Sequence, residues 1–282
     1  MKISSERIFI IAEAGINHNG DIEIAKKLMS LAKTSGCDAV KFQKRTPEIC
    51  VPIEMRNVVR ETPWGKMTYL DYKLKIEFGE KEYDEIDRYA REIGIAWSAS
   101  AWDTESLLFL AKYDLPFHKI ASALSTNIDF ISAVAQTKKL TFASTGMCTW
   151  QEIDHLVEIF DEEKCPLILM HTISTYPAEE KDLNLRMIET LANRYKIPIG
   201  YSGHEPSVSP SITAAALGAV AIERHITLDR AMWGTDHSAS LEPAGLINLV
   251  GALRKVKITL GDGVKRIVEG EADIARKLRY WE

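Results

Sequence analysis

A short apolar run, a polar or glycine-rich break and an amphipathic stretch of helical length recur eight times along this chain, and that repeat leaves few folds open. The apolar runs predict strands at residues 8–15, 38–43, 95–100, 116–122, 140–146, 167–172, 197–202 and 220–225. Between them, IEIAKKLMSLAKTSG places Ile24, Leu28, Leu31 and Ala32 at helical spacing and closes on Gly36, a helix-ending signal. EYDEIDRYAREIG, TESLLFLAKYD, NIDFISAVAQTKK, QEIDHLVEIF, KDLNLRMIETLANRY and SPSITAAALGA repeat the pattern. Strands that alternate with helices run parallel and are joined by right-handed crossovers. Eight such units in 282 residues predict an α/β fold, a (β/α)8 TIM barrel forming a single domain over residues 1–282. An open doubly wound sheet is the runner-up. An insertion near residues 45–79 follows the second strand and reads as an active-site loop with its own short helix; C-terminal helices are expected near residues 242–280.

The charge balance points away from two classes of partner. A net charge of -5, with lysine and arginine scattered along the chain, gives neither a nucleic-acid footprint nor a polybasic membrane anchor. The apolar run near the N-terminus meets Glu13 too soon for a secretory leader or a membrane span, so a cytoplasmic protein is expected. Cys37, Cys50, Cys148 and Cys165 lack metal-ligand spacing and read as reduced thiols.

Each apolar run ends in side chains that a core does not accept. In order these are Glu13; Lys41 and Gln43; Ser98 and Ser100; Lys119 and Ser122; Ser144 and Thr145; His171 and Thr172; Ser202 and His204; Glu223 and His225. In a barrel the carboxyl ends of all strands meet at one rim, where the active sites of this fold are built. His204 and His225 end consecutive strands, so their imidazoles converge, with Asp236 shortly downstream; such a pair suits one divalent cation with positions left for substrate oxygens. His171 is a third candidate, as ligand or as hydrogen-bond donor. His18 falls in the first βα loop, and His118 and His155 read as structural.

Lys41 and Lys119 end strands inside apolar runs, where an unpaired ammonium is costly. Each is either paired with a carboxylate such as Glu13 or held for an anion, and hydroxyls from Ser122, Ser144 and Ser202 favour a phosphate or carboxylate ligand. Schiff-base chemistry is the competing reading. STGM at 144–147 and GINHNGD at 15–21 are turns by themselves, and Trp97, Trp102 and Trp150 read as core or rim packing.

IAEAGINHNGD, AVKFQ, TPWGKMTYLDY, KIASALSTN, STGM, HTISTYP, GYSGHE and ERHITLDRAMWGTDHSAS resemble, in order and spacing, the catalytic barrel of the N-acetylneuraminate (sialic acid) synthase family, from about residue 8 to about 245. The resemblance implies condensation of phosphoenolpyruvate with an aldose, typically N-acetylmannosamine, to a 3-deoxy-2-ulosonic acid and phosphate. It implies a divalent metal, Mn2+ first and Mg2+ or Co2+ next, on His204 and His225, with phosphoenolpyruvate on Lys41, Lys119, Ser122, Ser144 and Ser202. Glu13, Tyr176 and Asp236 match residues facing the sugar and the reacting carbons, Glu13 or Asp236 handling water, and a homo-oligomer is expected. Ala123 and Leu124 replace a glycine and an acidic residue of the family pattern; Gly203 and Ser174 stand where aspartate and asparagine are usual. The family's C-terminal antifreeze-like domain, which contacts the sugar's acetamido group, has no counterpart up to Glu282. Little preference for N-acetylmannosamine is therefore expected. The alternatives are a catalytically silent sugar- or anion-binding barrel and a synthase for a non-acetylated or phosphorylated aldose, although no second arginine-rich phosphate clamp stands out.

Overall fold

The computed structural model describes Ile3 and residues 7–281. Its strands are β1 (Phe9–Gly15), β2 (Ala39–Lys44), β3 (Val59–Thr62), β4 (Gly65–Thr68), β5 (Ala96–Ala101), β6 (His118–Ile120), β7 (Thr141–Ser144), β8 (Leu167–Thr172), β9 (Ile199–Gly203) and β10 (Ala221–His225). All but β3 and β4 run parallel and close into a barrel, with β10 returning to pair with β1 from Phe9–Ala221 to Glu13–His225. The helices are α1 (Ile22–Ser35), α2 (Pro47–Cys50), α3 (Tyr69–Ile76), α4 (Glu80–Ile93), α5 (Thr104–Leu110), α6 (Ile128–Gln136), α7 (Trp150–Glu162), α8 (Met187–Tyr195), α9 (Ser209–Ala216), α10 (Pro243–Leu260) and α11 (Glu269–Leu278).

The helices start and stop where local chemistry requires. Asp21 caps α1 by accepting from the amides of Glu23 and Ile24, and Gly36 at φ +87° ends it in the left-handed conformation that glycine adopts without a Cβ penalty. Ala25, Leu28, Met29 and Ala32 form the buried stripe of α1 against the barrel. Burying each larger aliphatic side chain stabilises the fold by about 1.5–3 kcal/mol.

Side chains alternate along a strand, so every second residue enters the barrel. Ile11, Ala39, Phe117, Phe142, Ile168, Met170 and Ala221 fill its lower half as one apolar cluster. The opposite faces, among them Ile10, Ala12, Val40 and Ile222, pack outward with the helices. Two residues further along six of these strands stand Glu13, Lys41, Lys119, Ser144, Thr172 and Glu223, all buried, so a polar layer lies directly on the apolar plug.

Three segments differ from the sequence expectation. The insertion holds, besides the expected helix α3, an antiparallel β3–β4 hairpin. The fourth barrel strand covers only His118–Ile120, and Ser122 begins a 3-10 turn. The first half of KDLNLRMIETLANRY turns rather than coils, with a 3-10 turn at Glu180–Asp182 and Asn184 at φ +44°, so α8 begins at Met187. The C-terminal helices are present, α10 packed on the barrel and α11 with no buried residue. No helix among the described residues is long and apolar enough to cross a membrane.

Candidate active site

The alternation that sends Ala221 into the apolar plug sends Glu223 and His225 to the same side, one and two steps nearer the carboxyl rim. Glu223 is the hub of the polar layer. Its Oε1 accepts from Lys119 Nζ at 3.0 Å and from Ser202 Oγ at 3.0 Å, while Lys41 Nζ lies 3.8 Å from Oε2. Lys41 Nζ also meets Glu13 Oε2 at 2.5 Å and donates to Ser100 Oγ at 2.8 Å; Glu13 Oε1 accepts from Gln43 Nε2 at 2.9 Å. Two ammoniums thus face two carboxylates, all four nearly sealed from bulk water.

Burial acts to raise the pKa of Glu223, but the ammoniums of Lys119 and Lys41 overcome it and hold the carboxyl below the usual range. Lys119 is lowered, by burial first, with Glu223 opposing. The layer thus sets two lysines against two glutamates in one buried tetrad. Above it opens a cavity of about 150 Å³.

His204 and His225 stand on the cavity wall with ring centroids 5.6 Å apart, and the Tyr176 ring lies 4.1 Å from the first and 5.8 Å from the second. His204 Nδ1 sits 2.8 Å from the Ile173 carbonyl, which can only accept; Nδ1 therefore carries the proton and Nε2 the lone pair. Burial, then the charge of His225, pulls the His204 pKa down to about 3. His225 Nδ1 is buried with no hydrogen-bond partner, and Asp236 Oδ2 lies 3.9 Å from it. A neutral imidazole beside an unpartnered buried nitrogen is a donor set that fits a divalent cation. Among the described residues no group of three or more His, Cys, Asp and Glu side chains is set to hold a metal.

Of the residues predicted from sequence, Glu13, Lys41, Lys119, Ser122, Ser144, Tyr176, Ser202, His204 and His225 line the one cavity. Asp236 does not; it stands behind His225, and although burial acts to raise its pKa, His225, Thr235, Arg45 and Lys73 hold it down. Ser202 is already committed to Glu223 through its hydroxyl. His171 is excluded as a cavity ligand: it points to the outer face of the barrel, with Nε2 2.7 Å from the Leu183 carbonyl and its ring 6.1 Å from that of Tyr201. The reason is parity, since Met170 and Thr172 on either side of it face inward. Trp102 lines the cavity as rim packing, with the Arg45 guanidinium 4.0 Å over its ring, while Trp97 is core.

Sequence reasoning left two features out. Glu223, seen there only as a strand end, was findable by counting back in twos from His225. The second feature is a clamp: the β1–α1 loop fastens the long loop after β10 that carries Asp236. Asn17 Nδ2 donates to the Ile226 carbonyl and to Ser240 Oγ, both at 2.9 Å, and Asn19 Nδ2 donates to the Trp233 carbonyl at 2.8 Å. GINHNGD is therefore a latch as well as a turn.

Known proteins resemble this chain in sequence and in fold. The sequence matches the NeuB family over residues 28–265. It is 38% identical to N-acetylneuraminate-9-phosphate synthase of Homo sapiens over 273 residues, 96% of this chain and 76% of that protein. It is 35% identical to N,N'-diacetyllegionaminic acid synthase of Legionella pneumophila over 283 residues, 98% of this chain and 80% of that one. The N-acetylneuraminic acid (sialic acid) synthetase of Leptospira borgpetersenii serovar Hardjo-bovis, solved in complex with citrate, superimposes with a TM-score of 0.86 at 32% identity, covering 98% of this chain and 94% of that one. With the family match spanning most of the chain and named synthases aligned along nearly all of it, this protein belongs to the NeuB family and is an enzyme of that family, an aldol-type synthase.

Proposed function

We propose that the enzyme condenses phosphoenolpyruvate with the aldehyde of an aldose, N-acetylmannosamine or a related sugar, giving a sialic-type 3-deoxy-2-ulosonic acid and inorganic phosphate. The observation that carries this reading is the pair of buried lysines on β2 and β6 that both approach Glu223, in a cavity lined also by serines and by two histidines. Lys41 and Lys119 hold the carboxylate and phosphate of phosphoenolpyruvate by charge-assisted hydrogen bonds, and Ser122 and Ser144 add donors. Fixing the enol in this way keeps its C3 facing the aldehyde carbon. The C3–carbon bond forms, the aldehyde oxygen gains a proton, and C2 becomes electrophilic. Water adds at C2 and loses a proton; the C2–O bond to phosphate then breaks as the new hydroxyl gives its proton to the leaving phosphate, leaving a ketone and inorganic phosphate. Glu13, on the cavity wall and fixed by Lys41 and Gln43, is placed to orient that water and take its proton, whereas Asp236 acts from behind His225.

His204 and His225 would hold the divalent cation, Mn2+ first, which when bound supplies Lewis-acid polarisation of the aldehyde oxygen. Because both lysines also face glutamates, the cation would add positive charge against a polyanionic substrate. Chelator-treated protein is expected to release phosphate from phosphoenolpyruvate only with both an aldose and added Mn2+, and His204→Ala and His225→Ala each to abolish the Mn2+-stimulated release. No release with any aldose or metal, or full Mn2+ stimulation in both variants, would overturn the reading.

A further inference from the structure

Each histidine of the cavity wall has a charged chain neighbour that lies outside the cavity, Glu205 after His204 and Arg224 before His225. These two meet behind the strands. Arg224 Nη1 lies 3.0 Å from Glu205 Oε1, and both side chains are sealed from solvent. The Tyr201 hydroxyl donates to Glu205 Oε2 at 2.8 Å, and Ser211 Oγ, on α9, donates to Oε1 at 3.4 Å. Arg224 Nη1 also donates to the Ser207 carbonyl at 2.8 Å and to Ser211 Oγ at 3.0 Å, while Nη2 donates to the Glu205 carbonyl. The backbone pairing of β9 with β10 ends at Gly203 and Arg224, one residue short of His204. Beyond that point the Arg224 guanidinium takes over, holding the carbonyls of residues 205 and 207. The Glu205 carboxylate folds back so closely over β9 that a Cβ at Gly203 would lie 2.7 Å from Oε2 and 2.8 Å from Oε1.

We infer that Glu205 and Arg224 are positioning residues for the histidine pair: their ion pair on the outer side of β9 and β10 fixes the backbone from which His204 and His225 enter the cavity, and so sets the separation of the two imidazoles. The inference rests on the proposed use of those imidazoles as ligands of the divalent cation. Ligand distances in a metal site hold to about 0.2 Å. His204 stands just past the end of its strand, where a chain is ordinarily more mobile than in a sheet. The Ile173 carbonyl settles the orientation of its ring, and Arg224 settles the segment that carries it. A buried ion pair adds little net stability over apolar packing of the same volume. What it adds here is geometry, because the pair and its hydrogen bonds admit one spacing of the two chains.

Two measurements on the full chain test this: Mn2+ affinity, read from free Mn2+ by electron paramagnetic resonance, and the histidine imidazole signals of the metal-free protein by NMR. Glu205→Gln keeps the side-chain shape and removes the charge that Arg224 meets. It is expected to weaken Mn2+ binding by about tenfold or more, the effect of disturbing the support of a metal ligand. It is also expected to move the His204 and His225 signals while those of His118 and His155 stay in place. A variant that unfolds at lower urea yet binds Mn2+ as before, with unmoved imidazole signals, has lost a merely structural pair and overturns the inference. Should Glu205→Gln not fold, Tyr201→Phe decides, since it keeps the ion pair and removes one hydrogen bond to the carboxylate. A loss of about two- to tenfold in Mn2+ affinity, the size of one hydrogen bond, supports the inference, and unchanged affinity overturns it. If the unmodified protein binds no Mn2+, the reading of the histidines as ligands has failed; the metal-free spectra then decide the positioning separately, unmoved His204 and His225 signals refuting it.

Discussion

Glu223 carries more of this site than any other single residue, because two ammoniums and a hydroxyl converge on one carboxylate from three other strands. Removing it leaves Lys119 buried without a counter-charge and Ser202 without an acceptor. Glu223→Ala is therefore expected to lower the unfolding free energy by about 3–5 kcal/mol, the cost of breaking a buried ion pair from one side. Urea denaturation at neutral pH measures it. A loss of less than about 1 kcal/mol, the scale of an exposed pair, would show that the tetrad is more solvated than its burial implies. Glu223→Gln keeps the shape and one acceptor oxygen, so its stability loss is expected to be smaller while turnover still falls.

At the scale of elements, the loop between β10 and α10 is held by a loop from the opposite end of the chain. Asn19→Ala removes the bond to the Trp233 carbonyl and frees the segment beside Asp236 and Tyr72. It is expected to speed amide hydrogen exchange over residues 228–236 and to raise KM for the aldose more than KM for phosphoenolpyruvate; unchanged exchange there would refute the latch. This contact also marks where sequence reading ends. Strands, helices and rim residues were legible because period-two and period-3.6 patterns are local, and the end of each apolar run announced the polar layer. The latch was not, since Asn17 and Asn19 meet partners 209, 223 and 214 residues away. Nor was the β3–β4 hairpin, whose VRET and GKMT strands are largely exposed and turn through Pro63 and Trp64 without an Asn-Gly signal. Of the site residues, those on strands were placed by alternation; Asp236, on a loop, could be located only to the neighbourhood of His225.

For the whole molecule, acid is the direction of weakness. His18, stacked 3.8 Å from Phe78, is lowered to about 3 by burial and then by Arg45, and His118 to about 4 by burial and then by Lys139. Both native pKa values lie below the unfolded 6.5. As pH falls through that value the unfolded chain takes up protons that the native protein refuses, so stability present above it is lost toward the native pKa. Each histidine contributes a slope of about 1.4 kcal/mol per pH unit, and between about pH 6 and 5 it acts before most carboxylates titrate. Urea midpoints across that range check this: His118→Gln is expected to flatten the decline by about one histidine's share, and a flat profile in the unmodified protein would contradict it. The closure of the barrel has a further consequence for a chain emerging from the ribosome. Lys41 and its closest partner Glu13 are made early, as is Lys119, but Glu223, the carboxylate that Lys119 meets, and the second histidine arrive only with β10, the strand that seals the ring against β1. A nascent chain halted before residue 221 has Lys119 but not the carboxylate it meets, so the polar layer cannot assemble until β10 has been made.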